Sequence, residues 1–524
     1  MSKTTKKTAV ILMIIIIISK ITGFLRDVVL AQAFGAGDVT DAYLTALNIP
    51  VVLFDGISAA LGTTFIPMFF KIKEKSGDKE VDKFTSNILN LITIISVVLI
   101  FIGLIFTPYI VKLFAMGFEG NVFELAVKYS RILLFAMIFI AANGLISSYL
   151  IARGEVYISG LVTIPFNILV IVAIFIGALT NSYVMVYGTL FAYIGQLLFQ
   201  IPFLFKKGYK HSFKINIKDD NIKSILYLVI PVFIGSYINQ INAVVNRTLA
   251  STLEKGSITA LNYANKLNMF AVGIIAIALT TVMYPILSKL ASENNMKSFK
   301  YNLSKAINII IILMVPMTMM LIIFSTQIVQ VLFEDGSFDS RATYLTSTAL
   351  AFYSVGTLAY GLKDLLSKSF YSLQDTKTPV RNAAISVVIN VILSIILVKA
   401  MGIGGLALAS SISAIVTTVM LFLSIRSKIG KIGFKHILSV FIKALISTII
   451  MGSIVYNTYN SLLLYGMNID INSRKLIGSV CLICGVVGMV IYSTLILLFD
   501  VKEAKELCST VIKNIKFKLN KLSK

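Results

Sequence analysis

The sequence predicts an all-α, polytopic membrane protein with about fourteen transmembrane helices, built as two parallel six-helix repeats followed by two extra helices. Three observations predict it. Hydrophobic residues make up 57% of the 524 residues and charged residues only 14%, with a mean hydropathy of +0.89; soluble domains carry far more charge. Apolar stretches of roughly 20 residues, the length that crosses a bilayer core, recur from end to end. Runs such as "ILMIIIIIS" and "AINIIIILMVPMTMMLIIF" lack the alternation of barrel strands. Third, basic residues divide unequally between alternate loops, 31 against 5.

Taken in order, the first apolar run, 8–34, has a basic start but no small-x-small cleavage site, and reads as a retained first span rather than a signal peptide. The basic loop "KIKEKSGDKEVDK" separates spans 39–70 and 84–114, and Arg153 separates 123–152 from 157–179. "KKGYKHSFKINIKDDNIK" separates 183–205 from 223–253, and "KLASENNMKSFK" separates 257–288 from 301–324. "QDTKTPVR" divides 342–373 from 378–398, "RSKIGKIGFKH" divides 403–425 from 436–458, and 476–499 precedes the tail. Several runs exceed the bilayer requirement, so tilted or bent helices are expected. Pro50, Pro67, Pro165, Pro202, Pro231, Pro285 and Pro316 supply candidate kinks.

The loops named above, with both termini, hold the 31 basic residues, while Lys255, Arg341, Lys399, Arg474 and Lys475 make up the opposite 5. The positive-inside rule places the first set, and hence both termini, in the cytoplasm. The net charge of +23 is therefore a topology signal, and no nucleic acid is expected as a partner. The tail "VKEAKELCSTVIKNIKFKLNKLSK" reads as positive-inside charge, with a basic amphipathic helix as the alternative. Three cysteines form no disulfide framework. Cys481 and Cys484 make a CxxC inside an apolar run with no further ligands nearby, so they read as packing residues and no metal site is expected.

The first six spans resemble the second six. Leu30, Ala31, Gly37 and Thr40 match Leu249, Ala250, Gly256 and Thr259 at an offset of 219. Leu61, Thr63 and Pro67 match Leu279, Thr281 and Pro285 at 218; Phe166-Asn167 resembles Ile389-Asn390 at 223. An even number of spans per unit makes the repeats parallel. The implied organisation is an N-lobe at 1–210, a C-lobe at 211–430, two further spans within 431–500 and a basic tail at 501–524.

Ionisable residues at bilayer depth cost about 2.5–3.5 kcal/mol on insertion scales, so they face a cavity or a partner. Lys20 and Asp27 are seven apart and share a helical face, with Arg26 about 100° away. The second unit supplies Arg247 and Lys266, and the tenth span Lys363, Asp364 and Lys368. Arg26 and Asp27 pairing with each other or with Asp41 is the purely structural alternative. Cations from both repeats suit an anionic substrate, because Arg grips phosphate through a planar fork and Lys acts as a point charge.

"SKITGFLRDVVLAQAFGAGDVTDAYLTALNIP", with "FYSLQDTKTPV" and "NYANKLNMFAVGIIAIALTTVMYPILSKLA", resembles the MurJ (MviN) lipid II flippases of the MOP transporter superfamily. The resemblance covers essentially the whole chain. It implies alternating access that carries undecaprenyl-pyrophosphate-linked peptidoglycan precursor from the inner to the outer leaflet of the bacterial cytoplasmic membrane. It also implies a cationic cavity between the two lobes and a lipid groove on the last two spans. By motif match, the family's essential basic residues fall on Lys20 and Arg26, with Asp27 and Asp41 as acidic partners, and Lys266 matches the arginine of the eighth span; Arg247 joins this substrate-binding set as an intramembrane cation of the second half. Lys20 and Lys266 stand where many members have arginine. The second-span arginine is missing, with Phe54 and Asp55 in its place. The seventh-span aspartate that binds sodium in some members is matched by Asn246, with Ser386 and Asn390 as possible neighbours. Na+ or H+ coupling is therefore an open expectation, with no cofactor. Partners implied are lipid II, membrane lipids and cell-wall synthesis proteins.

Four other readings compete. One is a flippase for another polyprenyl-linked glycan, such as a teichoic-acid or capsule unit. A second is a MATE-like antiporter, disfavoured by the basic residues. A third, a membrane enzyme, needs acid–base residues near the interface, and the only histidines, His211 and His436, lie in loops without a nucleophile partner. A non-transporting scaffold completes the set.

Overall fold

The computed structural model describes residues 3–465 and 474–509, with side chains left out at 3–13, 55, 58–59, 230–239 and 463–465. Its regular structure is helical throughout. The helices are α1 (Lys3–Phe34), α2 (Asp38–Ser76), α3 (Asp78–Phe114), α4 (Gly120–Leu133), α5 (Ala136–Ala152), α6 (Val156–Leu161), α7 (Thr163–Leu179), α8 (Ser182–Lys206) and α9 (Asp220–Ala250). Then follow α10 (Ser257–Val272), α11 (Ala278–Ser292), α12 (Met296–Ile323), α13 (Ser325–Phe333), α14 (Ser340–Ser354), α15 (Thr357–Ser372), α16 (Lys377–Ile429), α17 (Phe434–Tyr465) and α18 (Arg474–Leu498).

Among the described residues, eight helical stretches are long and apolar enough to cross a membrane, and nine if the α4–α5 pair, bent by 46°, is one span. The helices outside that count include α1, α2 and α9, which carry several of the ionisable residues singled out above. The expected eighth span is α10 and α11 joined by a π-helical turn at Gly273–Ile277. The expected eleventh and twelfth spans form one continuous element, α16, bent at Gly402. Gly402 has φ +54° and ψ −129°, a conformation that strains any residue with a Cβ, so the break follows directly from that glycine. The tenth span is divided between α14 and α15.

Two compact units emerge. Unit 1 runs through Thr259 and takes in Phe333–Ala342; unit 2 is Ala260–Leu332 and the chain from Thr343 onward. Unit 1 closes one end with aromatic rings: Phe65 stacks on Phe84 at 5.9 Å, and Tyr149 meets Phe69 at 5.6 Å and Tyr209 at 5.3 Å. Arg153 lies over the Tyr149 ring at 5.1 Å and bridges to Asp78 and Asp82. In unit 2, α17 packs along α12, and α18 packs along α17. Buried Ile307, Ile310, Ile311 and Met314 of α12 form the spine of that core. The Tyr492 hydroxyl donates to the Ile312 carbonyl at 2.7 Å, satisfying a polar tip inside apolar surroundings. Cys484 is buried and Cys481 half-buried on α18, both as free thiols. The tail beyond 509 lies outside the described residues.

Candidate functional site

Unit 1 builds its charge cluster where α1 meets α7. Asp27 is buried. Arg26 donates to it from Nη2 at 3.1 Å and from Nε at 3.4 Å. Nη1 donates to the Asn167 carbonyl oxygen at 3.2 Å. The Asn167 amide in turn donates to the Thr22 hydroxyl at 3.2 Å, and Ser19 meets Thr163 one turn away. The guanidinium also lies 6.0 Å from the Phe166 ring centroid. A guanidinium carries five N–H groups in a fixed plane. Three are engaged here, so the fork is oriented while two N–H groups stay available to an acceptor. Lys20, less than two turns earlier, is exposed.

Asp41 is buried and acts as a cap for a distant helix. Its Oδ2 accepts from the Gly256 amide at 2.8 Å, and its Oδ1 accepts from the Thr259 amide at 2.8 Å and hydroxyl at 2.5 Å. These are orphan donors of the first turn of α10, which a carboxylate satisfies well. Gly256 has φ +86°, and a Cβ there would lie 2.4 Å from the Ala36 carbonyl oxygen, so only glycine permits this approach. Outside this contact, Lys255 pairs with Asp38 at 2.9 Å and Arg341 with Glu254 at 2.8 Å.

Arg247 lies near the end of α9, and the charge of Asp41 reaches it. Its Nε is buried and has no hydrogen-bond partner among the described residues. An unmade hydrogen bond of this kind costs about 1–3 kcal/mol, more for a charged group. Asn246 beside it donates to Asn242 at 3.4 Å.

In unit 2, Lys266 sits half-buried on α10. Lys368 pairs with Asp364 at 3.2 Å. Ser386 and Asn390 lie in a buried polar seam between the two arms of α16. Ser386 meets the Ser413 hydroxyl at 2.8 Å, and Asn390 donates to the Ser410 hydroxyl at 3.2 Å. Phe54, at the place of the missing arginine, is fully buried; the side chain of Asp55 lies outside the described residues.

The structure thus joins Arg26 to Asp27 and leaves Asp41 to a separate partner. Sequence reasoning overlooked Asn167 as the partner of Arg26, and Gly256 and Thr259 as partners of Asp41. The signal was present in both cases. Asn167 is an amide in the apolar run "FNILVIVAI", and Gly256 and Thr259 match Gly37 and Thr40 in type at an offset of 219.

A family model described as lipid II flippase MurJ matches residues 30–471. The chain is 30% identical over 449 residues to a probable lipid II flippase MurJ of Buchnera aphidicola subsp. Schizaphis graminum, covering 84% of this chain and 86% of that protein. It is 26% identical over 422 residues to lipid II flippase MurJ of Burkholderia cenocepacia, covering 79% and 82%. A solved structure of lipid II flippase MurJ in an inward closed conformation superposes with a TM-score of 0.80 at 27% identity, covering 95% of this chain and 100% of that one. An inward-facing MATE multidrug resistance transporter of the MOP superfamily superposes at 0.67 with 19% identity, covering 81% and 98%, a likeness of fold alone.

Proposed function

The chain belongs to the MurJ lipid II flippase family, and from that premise we propose how its residues carry the transport. The protein is a lipid II flippase of a bacterial inner membrane, moving a lipid-linked peptidoglycan precursor between leaflets. It works by alternating access with no bond broken. Fourteen spans in two parallel six-helix repeats, an N-lobe at 1–210 and a C-lobe at 211–430, supply the moving parts, and both termini are cytoplasmic. The spans within 431–500 receive the lipid chain.

Arg26 and Arg247 grip the diphosphate, Lys20 adds a point charge at the approach, and Lys266 contributes a further charge during the cycle. Asp27 and Asn167 hold the Arg26 fork, so its free N–H groups are oriented before substrate arrives and little entropy is lost on binding. Asp41 holds the first turn of α10, and outward release of the substrate breaks those three hydrogen bonds. The observation that carries this assignment is the buried, unpartnered Nε of Arg247, a donor that a phosphate oxygen satisfies.

The test replaces an essential flippase in a depletion strain with wild type, Arg247→Lys, Arg247→Ala and Lys266→Ala. Arg247→Ala is expected to insert normally and fail to support growth, with lipid II accumulating on the cytoplasmic side. Arg247→Lys keeps charge but loses the fork and rescues partially. Full growth of Arg247→Ala overturns the assignment. Loss of a different lipid-linked glycan, with lipid II exported normally, overturns the substrate.

A further inference from the structure

The segment joining α8 to α9 has no regular secondary structure over 209–216, yet it is fastened along one face of α3. The Lys210 amide donates to Asp82 at 3.4 Å and the Ser212 amide to Ser86 at 3.1 Å. Asn90 donates to the Ser212 carbonyl at 2.8 Å. Asn87 both donates to the Asn216 carbonyl at 2.9 Å and accepts its amide at 3.0 Å, as a neighbouring strand would. Polar side chains of a helix thus take the place of a sheet partner.

What the strap displays is unusual for a cytoplasmic loop. Phe213 is 86% exposed and Ile217 63% exposed, with Ile215 also exposed between them. Lys210, Lys214 and Lys218 alternate with them and are exposed. Lys210 and Lys214 line a hollow with Lys79, Lys83 and His211, together with the carboxylates of Glu80, Asp82 and Asp219. Of these lysines, Lys83 pairs with Glu80; Lys79, Lys210, Lys214 and Lys218 have no carboxylate partner among the described residues.

The height of the strap decides what covers it. Asn90 is twelve residues beyond Asp78, or about 18 Å up the helix axis at 1.5 Å per residue. One turn further on the same face begin Ile94, Val98, Phe101 and Ile105, all exposed large hydrophobics in a helix apolar enough to span the membrane. The face that clamps the strap therefore continues directly into a lipid-facing stripe, which places the strap at the boundary between headgroups and acyl chains.

We infer that residues 209–218 form an interfacial anchor for the anionic cytoplasmic leaflet: Phe213, Ile215 and Ile217 enter the acyl boundary while Lys79, Lys210, Lys214 and Lys218 bind phosphate headgroups. Amphipathic segments of mixed Lys and large apolar residues bind bilayers through buried apolar area plus attraction to anionic lipid. Lysines close to such a surface each contribute about fivefold to partition. The strap's attachment depends on the host bilayer and not on the transported substrate, so its loss leaves the flippase reading standing.

The chain contains no tryptophan, so Phe213→Trp creates a single reporter at an exposed position. The full-length protein is placed in nanodiscs of phosphatidylcholine brominated near the headgroup, with and without phosphatidylglycerol. The expected result is tryptophan quenched by the bromines and shielded from the neutral aqueous quencher acrylamide, with shielding severalfold stronger when phosphatidylglycerol is present. Lys210→Gln, Lys214→Gln and Lys218→Gln together should abolish that lipid dependence without altering thermal unfolding. Free access of acrylamide in both lipid compositions overturns the anchor. Shielding that is the same with and without phosphatidylglycerol overturns its anionic partner. In proteoliposomes of the same lipids, lipid II transport by Phe213→Trp reports the flippase function separately.

Discussion

Asn167 in unit 1 and Asn390 in unit 2 stand 223 residues apart in sequence, and both are buried amides in strongly apolar helices. Their surroundings differ in kind. Asn167 offers its oxygen to a guanidinium and its amide to Thr22. Asn390 donates to Ser410 and accepts from Ser394 at 3.4 Å, both neutral hydroxyls. One position therefore orients a charge and the other closes a polar seam. The facing helix decides what the amide does: α1 brings Arg26 and Asp27, whereas the second arm of α16 brings Ser410.

The largest break in this comparison comes from Arg26→Ala. Each charge-assisted hydrogen bond contributes about 1.5–3 kcal/mol, so losing two to the diphosphate should lower lipid II transport in proteoliposomes at least about a hundredfold. Thermal unfolding should fall as well, because buried Asp27 loses the guanidinium that pairs with it, so transport is compared per folded molecule. Near-normal transport would reduce Arg26 to a structural residue.

A sharper test sets the two amides side by side. Asn167→Ala should lower transport about tenfold, the value of one oriented hydrogen bond of about 1.4 kcal/mol, with a small change in stability. Asn390→Ala should do the reverse, costing about 1–3 kcal/mol of stability with transport per folded molecule nearly intact. Equal effects of both variants on both readouts would erase the distinction.

The smallest effect lies outside both regions and calibrates them. Asp375, in the loop before α16, accepts from Lys428 at 2.6 Å, and this bond together with those from Thr378 brings its carboxyl down from an ordinary 3.8 to about 2. The carboxylate's contribution is complete above about pH 4 and is lost as pH falls toward about 2. The stability difference between wild type and Asp375→Asn should therefore be flat from pH 8 to about pH 4 and shrink below it. A difference that instead changes near pH 6 would point to another group.

Much of the fold was legible beforehand because bilayer solvation constrains composition so strongly. The expected boundary between the eleventh and twelfth spans, between 398 and 403, falls on Gly402, where the helix bends. The bent pairs were harder. The division of the tenth span at residues 355–356 leaves no mark in hydropathy, because a kink inside an apolar run exposes no charge. The strap over 209–216 was seen only as a basic loop, since its fastening depends on Asp82, Ser86, Asn87 and Asn90 lying on one face of α3, more than a hundred residues earlier.

By itself the sequence determined the helical class, the membrane setting, the sign of the buried charges and the family. Each follows from local chemistry: how many apolar residues stand in a row, and which ionisable groups interrupt them. Tertiary structure alone decided the pairings. Asp41 could have met Arg26, but it caps α10 instead, and Arg26 turned to Asn167, 141 residues away. Hydrogen bonds require donors and acceptors within about 3 Å, and only the packed helices bring residues so distant in sequence to that distance.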